Sequence, residues 1–201
     1  MALDQVNADN ARIWGSDDDY VAVAPIDTEF TPPTALTATA PTPFEEVGWI
    51  HPDGFTLTPT DEVAKLKGFQ GGRVIRTKVT SSETSFAFQA LESTLQTVGL
   101  ALNIAESEAT GGVTAHTLAG SRKVERRQFA IGLFDGDVKW LLHIPRGEIT
   151  ERQEITLGNE EITGYNLTVE VIGDYYLYTE GDPGMAAGKK SAPAGDTKKA
   201  A

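Results

Sequence analysis

Residues 48–102 read GWIHPDGFTLTPTDEVAKLKGFQGGRVIRTKVTSSETSFAFQALESTLQTVGLAL, and their periodicity decides the fold class. From Arg73 the run RVIRTKVT alternates, with Ile75, Thr77 and Val79 on one face and Arg76, Lys78 and Thr80 on the other. A polar break, Ser81 to Thr84, precedes SFAFQA, which sets Phe86, Phe88 and Ala90 on one side. Period-two patterning bounded by turn residues predicts an antiparallel pair of half-buried strands. The period then changes to that of a helix, with Leu91, Leu95, Val98 and Leu102 on one stripe and Glu92, Ser93, Gln96 and Thr97 opposite. Gly99 marks its stop, so the expected helix covers about 91–99. Upstream, His51-Pro52-Asp53-Gly54 is a turn signal. FTLT can begin a strand, and Thr60 to Phe69 reads either as a helical turn or as loop. The expectation is a long loop over about 51–72.

Working outward, 201 residues favour one domain, and 40% hydrophobic content supports a core. The absence of cysteine excludes disulfides and thiol chemistry. The acidic N-terminus lacks the charged-then-apolar pattern of a leader, and no apolar run reaches the ~18–20 residues of a membrane helix, so a soluble protein is expected. The formal charge is −12. Residues 185–201 hold Lys189, Lys190, Lys198 and Lys199 against Asp196, a local +3 that leaves −15 on residues 1–184. Such a body does not grip nucleic acid, which needs a basic footprint.

The remaining segments predict mainly strands. Residues 1–19 read as an irregular acidic segment; Asp17, Asp18 and Asp19 lack the glycine and closing glutamate of a calcium loop. YVAVAP (20–25) is a strand, and TEFTPPTALTATAPTPFEE (28–46) an extended, exposed linker or an arm laid across a neighbouring subunit. Residues 106–127 form a polar surface excursion, whose basic cluster of Arg122, Lys123, Arg126 and Arg127 is a solvated edge or a contact with an acidic neighbour. QFAIGLF and DVKWLLHI flank Asp135-Gly136 as a hairpin that pairs Leu133 with Val138, Ile131 with Trp140 and Phe129 with Leu142. Gln128 then faces His143, which reads as a sheet-surface histidine. Pro145 and Gly147 end that strand, ERQEITL follows, and Tyr165 to Val171 alternates as a long half-buried strand. Tyr175 to Tyr178 adds a short one. Residues 181–201 read as a flexible C-terminal tail.

No residues qualify as catalytic, cofactor-binding or metal-ligating. His51, His116 and His143 fall in separate elements, and no zincin, nucleophile-elbow or phosphate-loop spacing occurs. Trp14, Trp49 and Trp140 could form a sugar-stacking face only if Trp140 left the core. The pattern excludes no structural role and offers no enzyme.

The order of these elements resembles major tail proteins, the tail tube subunits of long flexible-tailed, siphovirus-type bacteriophages. The resemblance rests on the Gly48-Trp49-Ile50 opening with Gly54, on Phe69-Gln70, on Val74, Arg76 and Thr77, on Phe86 and Phe88, and on Leu91-Glu92. LHIPRGEIT and the closing strand are similar to a second family segment, and VAVAPIDTEFTPPT to its N-terminal strand. In pattern the likeness spans roughly 20–180.

The resemblance implies a mainly β, sandwich- or barrel-like tail-tube domain over 20–180 with one flanking helix and long loops. It implies a structural virion protein, not an enzyme, without cofactors. Six copies would close a ring, and rings would stack into a conduit for genome ejection, through which DNA passes without specific binding. Partners would be the tape measure, tail tip and terminator proteins, with no membrane; the location would be the virion tail, after assembly in the host cytoplasm. Many relatives add an immunoglobulin-like domain, where this chain ends in a short Lys-containing tail. Edge pairing would consume the sheet edges, the loop and arm would supply stacking contacts, and the acidic body would line the bore. A secretion-system tube protein shares this architecture; a monomeric carbohydrate- or ligand-binding β-sandwich would need an exposed aromatic platform, and a hydrolase a clustered acid–base pair.

Overall fold

Strand β9 (Tyr165–Val171) shows how the chain is layered: Tyr165, Leu167, Val169 and Val171 are buried while Asn166, Thr168 and Glu170 face outward. That alternation repeats along its neighbours in an open antiparallel sheet. The computed structural model describes residues 8–69, 71–121 and 124–185. Gln70, Arg122, Lys123, residues 1–7 and residues 186–201 of the expected tail lie outside the described residues.

The main sheet runs β2 (Glu45–Glu46), β1 (Tyr20–Pro25), β7 (Glu125–Asp135), β8 (Val138–Arg152), β9, β4 (Val74–Ala90), β3 (Ile50–Lys67), with β10 (Tyr176–Glu180) paired to β8 beside β9. A separate exposed hairpin joins β5 (Ile104–Thr110) to β6 (Val113–Leu118). The fold is mainly β with one α-helix, and the sheet is not a closed barrel.

Two apolar layers hold the sheet. On one face, Phe86, Phe88, Phe129, Ile131, Ile149 and Val169 form the larger core, beneath the helix α1 (Leu95–Leu102). Phe129 meets the edge of the Phe86 ring at a centroid distance of 6.2 Å, a favourable aromatic geometry. On the other face, Tyr20, Ala22, Ala130, Phe134 and Leu141 are covered by Leu36 and Phe44.

That second layer corrects the reading of residues 28–46. The segment is neither a free linker nor an arm reaching a neighbour; it folds back as a strap over its own sheet. Phe30 stacks on His143 at 3.7 Å, and Gln128 Nε2 donates to the carbonyls of Ile26 and Thr28 at 2.9 and 2.6 Å. The Leu36 N–H donates to Glu180 and Lys139 Nζ donates to the Leu36 carbonyl, which ties the strap to β8 and β10. The Leu36 N–H and Lys139 Nζ, which also donates to Glu180 at 3.1 Å, hold the Glu180 carboxyl below its ordinary range. His143 is therefore buried, not a surface histidine, because the strap contributes the apolar cover that its own strand lacks.

Several local expectations change for identifiable reasons. The expected loop over about 51–72 is largely strand: β3 pairs β4 from Ile50 to Lys67, with irregularities at His51–Gly54, Glu62/Val63 and Leu66/Lys67 absorbing the turn-like residues. Pro59 is tolerated because β3 is an edge strand, where one missing donor costs no ladder bond. The expected turn at Ser81–Thr84 is absent, and β4 runs unbroken. The Ser81 and Ser82 hydroxyls donate across the ladder to Glu62 and Asp61, so these polar residues sit in a solvent-facing strand.

The helix spans Leu95–Leu102, not about 91–99. Thr94 accepts the Thr97 N–H at 3.1 Å as N-cap, and Asn103 adopts φ 57° beyond the C-terminus. Leu91 instead donates its N–H to the Trp49 carbonyl. The burial stripe rotates with the start: Thr97 is fully buried and donates to the Val47 carbonyl, while Leu95 is 63% exposed.

The β7–β8 hairpin keeps its faces but shifts its partners. Leu133 pairs Trp140, Ile131 pairs Leu142 and Phe129 pairs Ile144, because the two-residue loop is Gly136-Asp137 with Gly136 at φ 61°. A positive φ at the first loop position suits a type II′ turn. A shift of two residues preserves side-chain parity, so the core face survives. Pro145 does not end β8, since an irregularity opposite it between Arg127 and Phe129 lets the strand continue to Arg152. ERQEITL accordingly contributes only its first two residues to a strand, and 153–164 is loop.

Candidate assembly surfaces

The first surface follows from register. Across β3, β4, β9 and β8, Thr58, Ser85, Glu170 and Glu148 occupy one rung, and Thr56, Ala87, Thr168 and Glu151 the next. The intervening rung holds Leu57, Phe86, Val169 and Ile149, of which the last three are buried in the larger core while Leu57, on the edge strand, stays exposed. Apart from Ala87, the side chains of these two rungs are hydroxyl or carboxylate, and Gln89 and Asn166 add amides on the same face. Glu83 pairs with Thr60 farther along it. Glu148 is neutralised by Arg126 at 2.8 Å and Arg146 at 3.6 Å, while Glu83 and Glu170 show no ion pair among the described residues. The outer edge of β3 pairs with no other strand among the described residues, leaving a row of free backbone donors and acceptors.

The second surface is the distal half of the β3–β4 hairpin. The β4–β9 ladder ends at Thr84–Val171, so β4 continues ten residues past its last neighbour on that side, an overhang of roughly 33 Å. Residues 63–80 contain Lys65, Lys67, Arg73, Arg76 and Lys78 and no carboxylate, in a chain of net charge −12. Leu66, Phe69 and Ile75 are 55%, 100% and 74% exposed there. No ion pair engages these cations among the described residues, whereas Arg126 and Arg127 of the expected basic cluster pair with Glu148 and Glu125 of their own chain. A charge count restricted to this hairpin reveals the basic tip in the sequence; the placing of Glu83 and Glu170 on one face depends on the pairing of β4 with β9, far apart in the chain, and carries no local signal.

The structure keeps the three histidines apart. His51 lies 3.2 Å from Asp53 in an open polar cleft that also contains Gln89 and Asn166. His116 meets only the Ser107 hydroxyl on the β5–β6 hairpin. His143 Nε2 lies 3.2 Å from Gln128 Oε1, and burial lowers its pKa to about 4. Trp14 packs on Trp140 at 5.1 Å, and Trp140 Nε1 donates to Asp182, while Trp49 is exposed elsewhere. The tryptophans form no common platform. Asp19 accepts the N–H groups of Gly15 and Phe134, so that acid of the Asp17–Asp19 run is a structural cap. Burial raises its pKa. With Arg12 bridging to Asp182 at 3.0 Å, residues 12–19 belong to the folded body. Among the described residues no cluster of three metal-ligating side chains occurs, and no helix is long and apolar enough to cross a membrane.

A family profile described as phage tail tube protein matches residues 6–177. No curated protein matches the chain. Similar solved chains include one from the virion of a native gene transfer agent particle, at 10% identity and TM-score 0.43, covering 82% of this chain and 98% of the other. Another, from the tail of an empty gene transfer agent particle refined with C6 symmetry, has the same values. A third, from the six-fold symmetrised baseplate of the anti-feeding prophage, has 12% identity and TM-score 0.43, covering 84% and 97%. With the family match covering most of its length, the chain belongs to the phage tail tube proteins, structural components of the phage tail and not enzymes.

Proposed function

We propose that this subunit closes six-membered rings that stack into the tail tube of a long flexible-tailed phage, with the polar face of the β3–β4–β9–β8 sheet turned to the bore. The observation that supports this orientation is the pairing of a largely polar, partly acidic sheet face with a free β3 edge. A neighbouring subunit that pairs with the β3 edge gives that backbone row a partner, and the end of β8 past Ile149, beyond its pairing with β7, would offer the matching row. Six copies of four strands at about 4.8 Å spacing give a circumference of roughly 115 Å, a diameter near 37 Å before strand tilt widens it. Barrels of 16–18 strands already hold an aqueous channel, so a 24-stranded ring leaves one with room to spare. Unpaired Glu83 and Glu170 on that face would repel phosphate and let DNA slide without binding. The tube domain takes in residues 20–180, with residues 12–19 packed on it. Tape measure, tail tip and terminator proteins are its expected neighbours.

The chain has no cysteine, so Thr168→Cys gives a unique thiol on the proposed bore face. A small maleimide should label it in both monomer and assembled tube. A maleimide on a polymer too large for the bore should label the monomer and not the tube. Equal labelling of both states by the bulky reagent would reject the orientation.

A further inference from the structure

We infer that the basic tip of the β3–β4 hairpin docks on the acidic loop 153–164 of a second copy of this chain, so that subunits join head to tail. This rests on the tube reading and specifies the contact between rings. Topology places the two elements at opposite ends of one ladder. Ala90 pairs with Tyr165 at the end where loop 153–164 enters β9, and Lys67 pairs with Val74 at the tip. Sixteen residues of β4 separate these levels, roughly 53 Å.

The ends are complementary in charge and in apolar content. Residues 63–80 carry five cations and no carboxylate; residues 153–164 carry Glu154, Glu160 and Glu161 and no cation. Phe69 and Ile75 are exposed at one end, at 100% and 74%; Leu157 and Ile162 are exposed at the other, at 84% and 73%. Neither group of charges finds an opposite partner among the described residues of its own subunit, because the ladder that separates them is too long to fold back. A contact between different patches at opposite ends is heterologous, and its repetition extends without closing. It grows along the hairpin direction, which is what stacking requires. Like ends repel, so the same charges that favour tip on loop disfavour tip on tip and loop on loop.

The cysteine-free chain permits a direct test. Chains carrying Phe69→Cys are mixed with chains carrying Leu157→Cys under assembling conditions, oxidised, and the crosslinked species separated by mass. Both positions are solvent-facing, so neither substitution disturbs the core. The expected product is the mixed dimer, in roughly tenfold excess over either homodimer at low salt. In about 1 M salt, where screening shortens to about 3 Å, that excess should fall. Homodimers in equal yield, or no crosslink inside tubes visible by negative-stain electron microscopy, would overturn the docking and leave the tube standing. Mixed dimers from a chain that forms no rings would uphold the docking and overturn the tube reading instead.

Discussion

Lowering the pH from 7 to 5 should destabilise the isolated subunit by about 2 kcal/mol through His143 alone. His143 is 4% exposed, stacked beneath Phe30, with Nε2 opposite Gln128 and Nδ1 buried without a partner. Burial brings its pKa from 6.5 to about 4, so the folded protein keeps the ring neutral where the unfolded chain protonates it. Above pH 6.5 both states are neutral and the histidine contributes nothing to the pH dependence. As pH falls through 6.5 the unfolded state gains a proton that the folded state refuses, and stability drops until the folded pKa near 4 is passed. At 1.36 kcal/mol per pH unit the full loss is about 3 kcal/mol, of which about 2 falls between pH 7 and 5, above most carboxylate titrations. Urea unfolding followed by tryptophan fluorescence measures it, and His143→Phe should flatten the slope. This loss requires the strap to cover its own sheet: an arm laid on a neighbouring subunit would leave His143 in water. A wild-type stability that does not change over this window, or an equal slope in the variant, would refute that placement.

Three further outcomes follow from the packing. Phe129→Ala, at a fully buried ring against Phe86, should cost about 3–5 kcal/mol, read as a lower urea midpoint with unchanged slope. Gly147→Ala would set a methyl 2.7 Å from the Phe129 ring and 2.6 Å from Val169, and should cost about 1–3 kcal/mol by the same assay. Phage carrying Glu83→Gln and Glu170→Gln should eject DNA more slowly or infect less well than the parent; unchanged ejection kinetics would remove the electrostatic lining.

The elements legible in the sequence are those whose signal is local. β9 alternates apolar and polar residues over seven positions and β1 is a short apolar run closed by Pro25, and both stand where those local patterns put them. Parity on β7 and β8 is equally local, which is why the core face held while the partners moved by two. Composition misleads at Ser81–Thr84, because residues typical of turns are also at home in a strand that stands in water on both faces. The fate of His143 depends on Phe30, more than a hundred positions away, and the polar face depends on β9 meeting β4. Such pairings are set by the whole sheet and leave no mark on either strand alone. The basic tip differs: its five cations are plain once the hairpin is counted by itself.

The most direct test of the central claim is electron microscopy of the concentrated full chain, alone and seeded with tail fragments. Hollow tubes with six-fold end views, their inner wall formed by the β3–β4–β9–β8 face, are the expected result. Compact monomers that persist at every concentration even with seeds, or solid filaments without a bore, would contradict it.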